Sequence, residues 1–284
     1  VLAPIQARSE MPELPEVNFC GRCLVRWTAD RRVVDVVVHD PRSVRATRTD
    51  RPSAGRADGA DALAAVVRGA APRELRRHGK RLLWRFGGVE PGPDDGALLL
   101  HLGMTGKWSR TPTPWAKVSF TLDDGTAVHF CDPRLLGGVV PTTWGRGLAA
   151  LTEGLGPDAL APLPPLRGTR AVKLALMDQA VVAGIGNVQA MEALWRARLH
   201  PATPCDRLGA RHAALRAAVH AQLAWTIAML GDDDAIVYVE EDRSQNPFLL
   251  YRREAEPCPV CATPIARMIQ GGRSTYWCPG CQAE

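Results

Sequence analysis

Hydrophobic positions alternate at a period of two through much of the first half of this chain and recur every three to four residues through much of the second. The segment VSFTLDDGTAVHF shows the first pattern best. Val118, Phe120 and Leu122 alternate on one arm, Val128 and Phe130 on the other, and Asp124-Gly125 supplies a hairpin turn. The valine-rich residues 32–39 and the apolar runs 81–86 and 97–102 read as further strands. Residues 18–29 read as a helix, and residues 40–60, polar throughout, as loop. The character changes beyond Val140. Residues 154–168, GLGPDALAPLPPLRG, have the proline and glycine content of a linker. Helices are then predicted over 171–179, 188–198 and 208–230, with Gly184-Ile185-Gly186-Asn187 as a turn between the first two. In the third, Leu215, Val219, Leu223, Ile227 and Leu230 share a face. The pattern predicts an α+β protein of two domains, a strand-rich sandwich or barrel carrying one helix and then a helical domain.

With 284 residues, 46% hydrophobic and 23% charged, the composition is that of an ordinary globular protein. No apolar run reaches the length of a membrane span, and the first ten residues lack the basic and apolar regions of a secretory signal, so a soluble cytoplasmic protein is expected. A net charge of +5 suits a polyanionic partner. Of 35 basic residues only Lys80, Lys107, Lys117 and Lys173 are lysine, which points either to specific work for these four or to no more than drift in composition.

Four of the eight cysteines form a C-x2-C-x16-C-x2-C array, Cys258, Cys261, Cys278 and Cys281. That spacing fits one structural zinc ion held by four thiolates, with a β-hairpin between the cysteine pairs. Cys20 and Cys23 are spaced alike but have no second pair nearby, which leaves a redox pair or two ordinary helix cysteines. Cys131 and Cys205 carry no pattern.

Six segments then occur in order: MPELPEV from Met11, HGKRLL with Lys80, HLGMTG with Met104, DPRLLGG with Arg134, LMDQAVVAGIGNVQAMEAL, and the cysteine-rich tail. The series resembles the formamidopyrimidine-DNA glycosylase / endonuclease VIII family, and its Glu-Leu-Pro-Glu start and His-Leu-Gly-Met segment resemble the formamidopyrimidine branch. The resemblance implies an N-terminal extension over 1–11 absent from the active protein, a catalytic β-sandwich domain over 12–145, a linker over 146–168, a helix–two-turn–helix domain over 169–253 and a zinc ribbon over 254–284. It implies that Pro12 is the nucleophile. An amide nitrogen has no lone pair to give, whereas a free α-amine has one, with a pKa near ~8 against ~10.4 for lysine. Pro12 must therefore be the N-terminus of the working protein, and an extension that stayed attached would abolish that chemistry.

By the same resemblance Glu13 moves a proton during base loss and Glu16 orders the site, although both carboxylates also suit the start of a helix. Lys80 and Arg273 serve elimination and phosphate binding. Met104, Arg134 and Leu136 occupy the gap left by a flipped nucleotide, with Arg134 facing the orphaned base. The family commonly carries arginine and phenylalanine where Leu135 and Leu136 stand here. Lys117, where relatives often have histidine, Lys173 at the mouth of the lesion pocket, and Asn187 in the GIGN turn are further DNA contacts. The expected activity is a bifunctional DNA glycosylase and abasic-site lyase. It would bind damaged double-stranded DNA as a monomer between its two domains, in a bacterial cytoplasm at the nucleoid, and remove oxidised purines by β,δ-elimination. The alternatives are a relative acting on oxidised pyrimidines, or a non-catalytic damage binder with Pro12 blocked. Residues 231–253, acidic and without a transferable motif, hide the lesion choice.

Overall fold

The computed structural model describes residues 12–46, 58–231 and 246–283, so the expected extension over 1–11 and most of the acidic segment lie outside the described residues. Two compact units are present. The first contains Pro12, Glu16–Glu153 and residues 230–231; the second contains Glu13–Pro15, Gly154–Met229 and residues 246–283.

The first unit runs α1 (Leu14–Trp27, its first two residues counted with the second unit), β1 (Val33–Val38), α2 (Gly59–Val67), β2 (Pro72–His78), β3 (Arg81–Phe86), β4 (Gly96–His101), β5 (Lys107–Ser109), β6 (Ala116–Leu122), β7 (Ala127–Cys131), β8 (Gly138–Thr143) and α3 (Trp144–Thr152). The strands form two four-stranded antiparallel sheets, ordered β1-β6-β7-β5 and β2-β3-β4-β8. The predicted hairpin is β6–β7, closed by Gly125 at φ 81°. Its inward residues Phe120 and Phe130 meet Trp108 of β5 and Trp84 of β3. Ring centroids lie 5.5–6.2 Å apart at tilted or edge-on angles, the arrangement favoured by aromatic quadrupoles. This stack of rings is the core of the sandwich, and every residue of β3 is buried. Helix α3 lies close on β3: a side chain at Gly147 would strike Leu83. Buried Arg81 donates to the carbonyls of Ala150, Leu151 and Glu153, meeting the negative end of that helix.

Strands β5 and β8 and helix α3, which runs into the segment 146–168 expected as linker, have no counterpart in the expected elements, and three more depart from expectation. Helix α1 starts at Leu14, not at residue 18, because Pro15 sits in the first turn, where a missing N–H costs nothing, and Glu16 complements the dipole there. Helix α2, GADALAAVV, is too evenly apolar to show a helical period. Strand β2, PRELRRH, has Leu75 as its sole large apolar residue after the proline, so no alternation marks it.

The second unit holds α4 (Val172–Met177), α5 (Asn187–Arg196), α6 (Arg211–Met229) and the hairpin β9 (Ala266–Gln270) and β10 (Arg273–Trp277). No helix or strand interrupts the chain from Glu153 to Ala171. Helix α5 is buried from Asn187 to Trp195. Leu194 on it packs with Leu215, Val219 and Leu223 of α6, the face that the period predicts. The third helix begins at Arg211 rather than 208 because Cys205–Arg207 forms a short 3-10 turn.

Replacing Trp84, buried at the centre of the ring stack, with alanine should cost about 3–5 kcal/mol of stability. Urea unfolding should show it as a lower midpoint with unchanged slope.

Candidate functional site

A helix of ordinary length leaves its first N–H groups without intrahelical partners. At the start of α5 these are met by a distant side chain. Glu13 accepts from the amides of Gly186 (2.7 Å) and Gln189 (3.2 Å) through Oε2 and of Val188 (2.8 Å) through Oε1. The carboxylate is 3% exposed. Leu14 N donates to the carbonyl of Gly184 at 3.0 Å, which fixes the same stretch of backbone. Gly186 is required: a Cβ there would overlap the Glu13 carboxyl group. Gln179 shapes the turn, donating to Met177 O and Ile185 O and accepting from Gly184 N. The GIGN turn is thus a receptor for residue 13, with buried Pro12 directly before it in the chain.

Asn187 does not cap its own helix; the cap position is Gly186, which has no side chain, and Glu13 serves in its place. Its amide donates to Ser274 O at 3.0 Å, and its Oδ1 accepts from Lys173 Nζ at 2.6 Å. Lys173 also donates to Thr275 Oγ1 at 2.7 Å and has no exposed surface. The ammonium of Lys173 thus ties the GIGN turn to β10. Arg273, one residue before Ser274, is exposed and follows Gly271 and Gly272, both in the left-handed region at φ 59° and 74°.

Sequence reading missed Glu192. This carboxylate, wholly buried on α5, accepts from the amides of Leu250 (2.8 Å), Tyr251 (3.1 Å) and Leu249 (3.3 Å). Burial pushes its pKa up against those donors. A lone glutamate in a helical pattern gives no signal of such a role.

The four sulfur atoms of Cys258, Cys261, Cys278 and Cys281 all lie within 4.8 Å of one another. Separations of 3.3 Å, 3.5 Å and 3.9 Å bracket the edge of a tetrahedron with Zn–S bonds of ~2.3 Å. Four sulfur atoms at these separations are placed to hold one cation as thiolates, and the set leaves no open position, so such a site is structural. Trp195, Leu250 and Ile265 pack around it, and Gln282 anchors the tail by donating to Leu199 O and accepting from Cys278 N. Cys20 and Cys23 are buried on α1, and burial pushes the Cys20 thiol up to about 12, far from a reactive thiolate.

In the first unit Lys80 is half-buried in the β2–β3 turn, after Gly79 at φ 55°. Glu16 lies in the first turn of α1. Lys117 sits 3.7 Å from Asp40. Met104 and Leu136 are half-buried and Arg134 exposed, on two loops, 102–106 and 132–137, whose backbones touch. Leu135 is the buried member of its leucine pair.

A β-sandwich unit and a helical unit closed by a four-thiolate ribbon define a two-part zinc protein with a buried carboxylate at a helix start. Comparison with known proteins carries this further. Residues 11–139 match the formamidopyrimidine-DNA glycosylase N-terminal domain, residues 165–233 its H2TH domain, and residues 255–283 the zinc finger found in FPG and IleRS. A formamidopyrimidine-DNA glycosylase of Salinispora arenicola is 36% identical over 96% of each chain. The solved MutM (Fpg) protein of Thermus thermophilus superposes with a TM-score of 0.75 at 31% identity, covering 96% of this chain and 99% of that one. A MutM solved in complex with carbocyclic 8-oxo-G containing DNA gives 0.78 at 25% identity, covering 96% and 100%. The chain belongs to the formamidopyrimidine-DNA glycosylase family, and its four cysteines hold a structural zinc ion.

Zinc removal by a chelator should open the β9–β10 hairpin. The emission of Trp195 and Trp277 should shift to the red, and added zinc should restore it, because metal binding is folding free energy for such a ribbon. The same loss is expected in acid as the thiolates take up protons.

Proposed function

We infer that this chain is a DNA glycosylase of base excision repair that also cleaves the strand at abasic sites. The observation that carries the reading is Glu13 locked on the α5 amides directly after Pro12. It fixes the residue next to the nucleophile in a family whose members are named for base release from DNA. With Pro12 as a free terminal amine, its lone pair attacks C1′ and the bond from C1′ to the base breaks; the amine then sheds its N–H proton, and as Glu13 passes a proton to the sugar ring oxygen the bond from C1′ to that oxygen breaks and the nitrogen lone pair closes on C1′ as an iminium. The resulting iminium draws off electrons as the C2′ proton leaves, and the 3′ phosphate departs. A second elimination on the 5′ side follows, assisted by Arg273.

The other residues supply position. Lys80 and Asn187 hold phosphates, Asn187 oriented by the buried Lys173. Lys117 adds a point charge near Asp40. Met104 and Leu136 fill the gap left by the extruded nucleotide, and Arg134 reads the base left behind. Glu16 orders the start of α1. Oxidised purines are the substrates this reading favours, by analogy with the relative solved with 8-oxo-G containing DNA. It extends to a monomer working on chromosomal DNA in a bacterial cytoplasm. Among the described residues no helix is long and apolar enough to cross a membrane.

Borohydride trapping on abasic duplex tests the central step. Protein beginning at Pro12 should yield a covalent adduct, and protein retaining residues 1–11 should yield none. An adduct formed with those residues still attached sinks the Pro12 mechanism, and no adduct from either leaves a non-catalytic damage binder.

Glu13→Gln loses one of the two acceptor oxygens in the cradle. In the chain starting at Pro12 it should slow release of 8-oxoguanine by about 10²–10⁴-fold, with a smaller effect on cutting at preformed abasic sites.

A further inference from the structure

Arg45 is a buried guanidinium, 6% exposed, whose work the reaction does not explain. Its backbone N donates to Val139 O at 3.0 Å, beside the bridge between Val44 and Val139. Its Nη2 donates to the carbonyls of Leu135 (3.3 Å) and Gly137. Those two carbonyls flank Leu136. The side chain lies flat against Gly138, where a Cβ would strike it.

The loop so gripped is closed from within by Asp132, which has no exposed surface. Its Oδ1 accepts from Arg134 N at 3.1 Å and from the Thr105 hydroxyl, and its Oδ2 accepts from Gly137 N at 2.7 Å. Thr105 belongs to the other loop, one residue after Met104. The two loops also meet without side chains. A Cβ on Gly103 would collide with Leu136 and Gly137, and one on Gly137 with the carbonyls of His101 and Leu102. Within this assembly Leu135 is held at φ 53°, a conformation that a leucine adopts only under constraint.

We propose that Arg45, which anchors the 132–137 loop, and Thr105, which ties the 102–106 loop to it through Asp132, are positioning residues that hold the two loops as one backbone unit, so that discrimination of the base opposite the lesion depends on Arg45. Resting on the glycosylase reading above, the inference adds a specificity role for residues that need touch no DNA. Arg45 holds the carbonyls on either side of Leu136, and Asp132 holds the amide of Arg134. A loop freed from both would keep its side chains but lose their register against the duplex, and one misplaced hydrogen-bonding side chain is enough to erase base discrimination.

The test uses the zinc-loaded chain beginning at Pro12 and duplexes carrying 8-oxoguanine opposite cytosine or opposite adenine. The ratio of kcat/KM for the two is the readout, with melting temperature as the control for folding. Arg45→Met should reduce the wild-type ratio by about tenfold. Arg45→Lys, which can still reach one carbonyl, should recover part of it. Thr105→Val, which removes one hydroxyl without opening a cavity, should move the ratio in the same direction and decides the matter where Arg45→Met does not fold. A folded Arg45→Met with the wild-type ratio overturns the inference, as does an unchanged ratio in Thr105→Val. A wild type indifferent to the opposing base overturns it too, since Arg134 would then read nothing. A wild type that neither releases the base nor traps on abasic DNA instead sinks the glycosylase reading itself.

Discussion

The carboxylate of Glu13 takes three N–H groups that the helical hydrogen-bond pattern of α5 leaves over. Burying a carboxylate is costly unless its lone pairs are met, and leaving amide donors at a buried helix start unmet is costly as well. Each side of this contact cancels the cost of the other, so neither can move alone. The constraint spreads outward through Gln179, which shapes the turn presenting the amides, and through Asn187, whose side chain is freed from capping and bonds Lys173 and Ser274 instead. The zinc ribbon enters the same network through Ser274 and Thr275 of β10. A metal site with no chemistry of its own thereby sets where the asparagine of the turn can point.

Two arginines and one carboxylate do comparable work in the sandwich unit by satisfying backbone groups. Arg81 closes the carbonyl end of α3, Arg45 two carbonyls of a loop, and Asp132 two amides of that loop. A left-handed leucine carries a penalty of roughly 1–2 kcal/mol, so Leu135 keeps its conformation only because these bonds over-determine it. Local strain of that kind is expected where a loop must hold a shape the chain would not choose.

The parts legible in the sequence are those whose chemistry is local. The cysteine array, the β6–β7 hairpin around Asp124-Gly125, and the α6 face from Leu215 to Leu223 each follow from spacing alone, and the structure contains all three. Glu13 was visible as a residue beside a proline, but its binding to the α5 amides was not, because no local pattern links positions 13 and 186. Glu192, Arg45 and Gln179 stayed hidden for the same reason: each satisfies backbone groups, and backbone groups have no letters. Strand β2 was lost because its arginines give no alternation, and α1 was cut short because Pro15 reads as a breaker until its place in the first turn is known.

The departure of this chain at Leu135-Leu136 can now be weighed. Of the two leucines only Leu136 keeps exposed surface to offer, since Leu135 is turned inward by its left-handed backbone. A leucine has no ring to stack on a base pair, so in the wedge role proposed for it Leu136 would act by volume, and volume works only where the side chain is placed firmly. The bonds from Arg45 to the carbonyls on both sides of Leu136 supply that firmness. A rigid loop and a poorer stacking residue are then complementary features of one design, in which the fixed backbone makes up for what the side chain lacks.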